Sequence, residues 1–136
     1  MNRSAPRARR ADATALGLSG LLAFAGVAHF VNPKFFDEIV PHRLPGTPRS
    51  WTYVSGAAEL LCAAAVANPK TRRSGGLAAA VLFLAVFPAN VQMAIDWRTR
   101  PAAEQAAAYG RLPLQIPLVL WGLRVRRQAR AGRSAA

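Results

Sequence analysis

Apolar residues in this chain are gathered into four runs separated by short polar segments. The runs cover residues 13–31, 51–68, 75–95 and 111–125. A helix of about twenty residues, rising about 1.5 Å per residue, spans a hydrocarbon core of roughly 30 Å. The third run holds no charged residue and the second holds only Glu59. The apolar centre of the fourth is short, but Arg111 before it and Arg124 after it can extend along their aliphatic stems to the two interfaces. Isolated strands in lipid would leave backbone groups unpaired, so the runs predict helices. The expected fold class is all-α: a polytopic membrane protein, a four-transmembrane-helix bundle, in one domain over residues 13–126. Residues 1–12 and 127–136 are basic and predict disordered cytoplasmic tails.

A basic start, an apolar run and the Ala-Phe-Ala at 23–25 also imitate a secretory signal with its cleavage site. The Arg9-Arg10 pair adds a hint of twin-arginine export. Because the run continues past that site to Val31, an uncleaved first helix is the expectation.

The segments between the runs carry their own periodicity. In "HFVNPKFFDEIVP", residues 29–41, Asn32 is placed to cap a short helix that starts at Pro33. Phe35, Phe36, Ile39 and Val40 fall on one helical face while Lys34, Asp37 and Glu38 fall on the other, the pattern of a helix lying in an interface. A second such helix is predicted over "PAAEQAAAY", opened by Pro101 and ended by Gly110. No internal repeat and no soluble domain is visible.

Charge orients the bundle. Lys and Arg total 18 against 6 Asp and Glu, a net charge of +12. Such an excess would suit nucleic-acid binding, but the cations crowd between long apolar runs with few aromatics among them, so no nucleic-acid partner is expected. With four crossings, twelve cations share the side of both termini: Arg3, Arg7, Arg9, Arg10, Lys70, Arg72, Arg73, Arg124, Arg126, Arg127, Arg130 and Arg133. Six lie opposite, which predicts cytoplasmic termini in a cell inner membrane. Trp51, Tyr53, Trp97 and Tyr109 would then form an aromatic belt at the outer interface.

Polar residues within apolar runs are costly and therefore informative. Thr52, Ser55, Gly56, Glu59, Cys62 and Ala63 recur every three or four residues, making one small polar stripe on the second helix. His29, Asn90, Arg111 and Gln115 lie at similar depth on the other helices. These four, with Ser55 and Glu59, all fall within roughly 12 Å of the outer boundary at helical rise. The candidate intramembrane site is thus His29, Ser55, Glu59, Asn90, Arg111 and Gln115, either a polar pocket open to the outside or a buried hydrogen-bond knot. In the second case Glu59 would be helix glue bonded to Asn90 or Gln115. Pro88, Pro113 and Pro117 should kink helices and free carbonyls for side chains to satisfy. The single Cys62 excludes an internal disulfide and a CxxC pair. One histidine and one carboxylate are too few to hold a metal, and no nucleophilic triad, phosphate loop or dinucleotide fingerprint is present. The residues specify no reaction and no bound cofactor.

Together "GVAHFVNPKFFDEIVPHRLPG", "YVSGAAELLCA", "FPANVQMA" and "RLPLQIPLVLW" resemble the DoxX family of small bacterial integral membrane proteins, from about Gly26 to Trp121. The resemblance implies a four-helix membrane bundle. It also implies membership of a membrane redox complex, since the family is named after a subunit of a thiosulfate:quinone oxidoreductase, with other subunits as partners and a quinone as the implied ligand. It supplies no catalytic residues. A small-molecule or proton-coupled carrier and a non-catalytic structural partner remain the alternatives. A carrier would need a polar route into the cytoplasmic half, which the sequence lacks.

Overall fold

A computed structural model describes residues 4–133, which are all-helical with no strand among them. Four long helices, α1 (Ser4–Val31), α3 (Pro48–Ala67), α4 (Arg72–Asp96) and α5 (Ala102–Arg133), are joined by short connections. A short helix, α2 (Pro33–Asp37), follows α1, and a single 3-10 turn at Trp97–Thr99 follows α4. Proline sets two of the starts, because a first-turn N–H has no helical partner to lose. Pro33 opens α2 and Pro48 opens α3, where the Thr47 hydroxyl caps by accepting from the Ser50 N–H at 3.2 Å.

Successive long helices run antiparallel. Ser19 on α1 donates to the Ala63 carbonyl on α3 at 2.8 Å, while Gly26 further along α1 meets Gly56 earlier on α3. On the other side, Gly76 of α4 lies against Gly122 of α5, and Phe83 against Gln115. The glycines set the helix spacing. A Cβ on Gly76 would stand 2.7 Å from the Gly122 carbonyl oxygen, and one on Gly56 would stand 2.7 Å from the His29 Cβ.

Two apolar clusters fill the interior. One, near the start of α1, includes Leu18, Leu22, Val66, Ala79, Phe83 and Val125. The other, at the α2 end, includes Ile39, Met93, Ala94, Trp97 and Ala108, with Phe35 and Phe36 packed on it. Outside, the pattern is inverted relative to a water-soluble bundle. Phe24 is 77% exposed on α1, Leu61 72% on α3, Leu84 58% on α4 and Ile116 66% on α5. Two stretches, Ala8–Val31 and Arg72–Thr99, are long and apolar enough to cross a membrane.

Several expectations need correction. The basic segments expected as disordered tails are helical at residues 4–12 and 127–133. Alanine and arginine are strong helix formers, and Pro6 sits in the first turn, where it breaks no hydrogen bond. The helix opened after Pro101 does not end at Gly110. It continues through Pro113 and Pro117 as part of α5, and the cost of an internal glycine, about 1 kcal/mol, is offset because Ala108, Leu112 and Gln115 present one face to α4 and the α2-end cluster. Asn32 precedes α2 but makes no side-chain cap. Trp97 is 4% exposed and belongs to the core rather than to an aromatic belt.

A buried polar cluster between two apolar cores

The candidate residues come from all four long helices and fall between the two apolar clusters, in two groups. In the first, α1 and α3 bring His29 to Glu59, with Nδ1 3.1 Å from Oε2. This close approach depends on Gly26 and Gly56, which let the two backbones meet just beside the histidine. His29 Nδ1 is also 2.8 Å from the Ala25 carbonyl oxygen. A carbonyl only accepts, so Nδ1 carries a hydrogen and gives it to Ala25. Glu59 Oε2 therefore lies at ion-pair distance while no hydrogen bond is aimed at it, and it is buried. An oxygen in that state is costly unless a further donor supplies the missing hydrogen bond.

Arg111, half-buried at the same level on α5, interacts electrostatically with both Glu59 and His29. Its Nη1 is 3.9 Å from the Met93 Sδ, and its guanidinium stands 6.0 Å from the Phe35 ring centre. Ser55, one turn from Glu59, is half-buried and has no hydrogen-bond partner among the described residues.

The second group joins α4 to α5. The Gln115 amide accepts from Asn90 Nδ2 at 3.1 Å and donates to the Phe83 carbonyl oxygen. Pro88 has no N–H to give the Leu84 carbonyl, and Gln115 donates one residue earlier in the same turn, at Phe83. Glu59 bonds neither Asn90 nor Gln115; the two amides bond each other instead, and the helix-glue alternative for Glu59 has no hydrogen bond to either of them. An apolar groove of about 330 Å³ between α4 and α5, lined by Leu84, Phe87, Leu112, Ile116 and Leu120, has Gln115 in its wall.

Helix α2 covers the first group. The Phe36 ring stacks on the His29 ring with centres 3.8 Å apart, and Phe35 meets Trp97 edge-on at 5.9 Å. Ion pairs hold α2 down on both sides. Asp37 accepts from Thr52 Oγ1 at 2.7 Å and Arg49 Nε at 2.9 Å, and Glu38 accepts from Arg100 Nη2 at 2.9 Å. Partial desolvation would raise the Asp37 carboxyl, but the Thr52 and Arg49 hydrogen bonds prevail and hold it below its ordinary value. Glu38 and Glu104 on Arg100, outweighing slight desolvation, push that guanidinium further up. Neither the Phe36 stack nor the Asp37 clamp was legible in the sequence, because both join residues on different elements. Thr52 alone was visible, as a member of the α3 stripe.

These features define a class: a small all-helical protein with apolar outer faces and a polar cluster enclosed between two apolar cores. Within that class, the chain belongs to the family described as Domain of unknown function (DUF8561), whose model matches residues 18–126. The match takes in every residue of both polar groups. Comparison with curated proteins and with solved structures gives no match.

Proposed function

We propose that this chain is a DoxX-like integral membrane protein that crosses the bilayer four times with both termini cytoplasmic. It serves as a membrane subunit of a quinone-linked redox complex and offers the polar cluster in its outer half to a ligand head group. The observation that carries this reading is the buried Glu59 Oε2, at 3.1 Å from His29 yet without a hydrogen bond, in a cluster that also holds Arg111. A carboxylate oxygen so placed is suited to accept from a ligand hydroxyl, while the Arg111 guanidinium offers donors to an oxygen of the same ligand. Four crossings are supported by the exposed apolar side chains of α3 and α5, such as Val54, Leu61, Leu114 and Leu120. Lipid would cover these as it would the faces of α1 and α4. The carrier alternative is disfavoured: beyond Cys62 an apolar cluster that includes Leu18, Leu22, Val66 and Phe83 fills the interior, and Ser19 beside it is tied to the Ala63 carbonyl.

The test is to purify the full chain in mild detergent and identify the lipid-soluble molecules and proteins that accompany it. Glu59→Gln keeps shape but cannot take up a proton or hold a negative charge. It should remain folded and lose the accompanying molecule by at least about tenfold, the equivalent of one strong charged hydrogen bond. Arg111→Ala should do the same, and Arg111→Lys should restore only part, since it keeps charge without the planar fork. A folded Glu59→Ala protein that retains everything the wild type carries would remove the cluster's functional role.

A further inference from the structure

The end of the bundle opposite α2 is built from the start of α1, the α3–α4 connection and the end of α5. Trp121 Nε1 donates to the Thr14 carbonyl at 2.9 Å, which sets the first turns of α1 beside the last turns of α5. Because α5 stays helical past Val125, whose side chain is buried, Arg124 and Arg127 fall one turn apart on an exposed face. Arg9 and Arg10 are exposed on α1 at the neighbouring level. Among the described residues none of these four has an ion-pair partner. Among the described residues the one carboxylate at this end, Asp12, is already taken: Arg72 Nη1 binds it at 2.6 Å while Arg72 Nε and Nη2 hold the Val66 and Ala67 carbonyls that end α3. Like charges gathered on two adjacent helices repel one another until an anion is supplied.

We infer that this end is a docking surface for the phosphate groups of anionic phospholipids, held by Arg9, Arg10, Arg124 and Arg127. The inference rests on the four-crossing reading. Lipid is selected over a nucleic acid by what borders the charge. Leu16 and Leu120 are 57% and 52% exposed, and they lie about 9 Å and 6 Å along their helices from Arg10 and Arg124. A phospholipid covers both surfaces at once, with its phosphate on the arginines and its acyl chain on the leucines, whereas a nucleic acid would leave the leucines in water. Each cation near such a surface contributes a factor of about five in affinity.

The experiment reconstitutes the full chain in nanodiscs of equal phosphatidylcholine and phosphatidylglycerol, releases it into mild detergent, and counts retained lipids by native mass spectrometry. Wild type should retain phosphatidylglycerol over phosphatidylcholine by about tenfold or more. R9Q/R10Q/R124Q/R127Q should lose that preference, and R43Q/R98Q, which removes two cations from the opposite end, should keep it. Should the fourfold variant fail to fold, salt decides, since the wild-type preference must shrink as salt rises. A fourfold variant that folds and keeps the preference, or a salt-independent one, overturns the inference. A wild type that enters the nanodisc without preferring phosphatidylglycerol overturns it too and leaves the membrane reading standing. A chain that does not enter the bilayer removes both.

Discussion

Glu59 and Gln115 look alike in the sequence, each a polar side chain in an apolar helix, yet the structure gives them different work. Gln115 is 6% exposed and has both ends of its amide occupied, by Asn90 and by the Phe83 carbonyl. Truncating it removes two hydrogen bonds. Gln115→Ala should therefore cost about 1–2 kcal/mol. Asn90→Ala, which removes only the outer bond, should cost about 0.6 kcal/mol. Reversible denaturant titration in detergent measures both, and a double-mutant cycle should show coupling between the two positions. Equal costs for the two substitutions would mean that the Phe83 bond contributes nothing. Glu59, whose Oε2 has no hydrogen bond to lose, should prove the more tolerant position for stability and the less tolerant for ligand retention.

Helix α2 has only five residues, too few to be stable alone. Its position depends on the Phe36 stack over His29 and on the clamp at Asp37. Thr52 is 1% exposed, and its hydroxyl faces the carboxylate at 2.7 Å. Thr52→Val keeps the side-chain shape and removes that donor, and should cost about 1 kcal/mol after allowance for the partial exposure of Asp37. Hydrogen exchange of the residue 35–40 amides should rise more than that of α4. The clamp has a defined pH dependence. The folded Asp37 carboxyl titrates below its ordinary value of 3.8, so its contribution is complete above that value and is lost as pH falls through the lower folded one. Acidification should thus loosen α2 in wild type, and Asp37→Asn should already be loosened at neutral pH. An α2 that exchanges equally in all three proteins would show that the aromatic stack alone holds it.

For the whole molecule, the charge distribution makes a topological prediction. Reporter fusions after Val40 should read as periplasmic, and fusions after Arg72 and Ala136 as cytoplasmic, because twelve of eighteen cations share the side of the termini. A periplasmic signal at Arg72, or opposite signals at Arg72 and Ala136, would contradict four crossings. The structure constrains the same question from a different direction. All four long helices expose large apolar side chains, although only two stretches are by themselves long and apolar enough to span. The other two helices carry the polar burden. α3 holds Glu59 and the threonine and serine of its stripe, and α5 carries Glu104 in its first turn and arginines in its last turns. A bundle that encloses polar residues must place them on some helix, and the hydropathy of that helix falls accordingly.

The sequence by itself determined the helical class, the near positions of the four long helices and the six residues of the polar level, because these follow from local periodicity and from the cost of polar groups in apolar runs. It placed His29, Glu59, Asn90, Arg111 and Gln115 at one depth, since depth is a matter of counting along each helix. Only the tertiary structure decided which of them meet. Rotation of each helix about its axis is fixed by close packing, here by Gly26 against Gly56 and Gly76 against Gly122, and that rotation sends Gln115 to Asn90 and Glu59 to His29. The helical tails and the unbroken α5 were hidden for a related reason. Gly110 and Pro113 are breakers by local preference, and only the face that Ala108, Leu112 and Gln115 bury against α4 outweighs them.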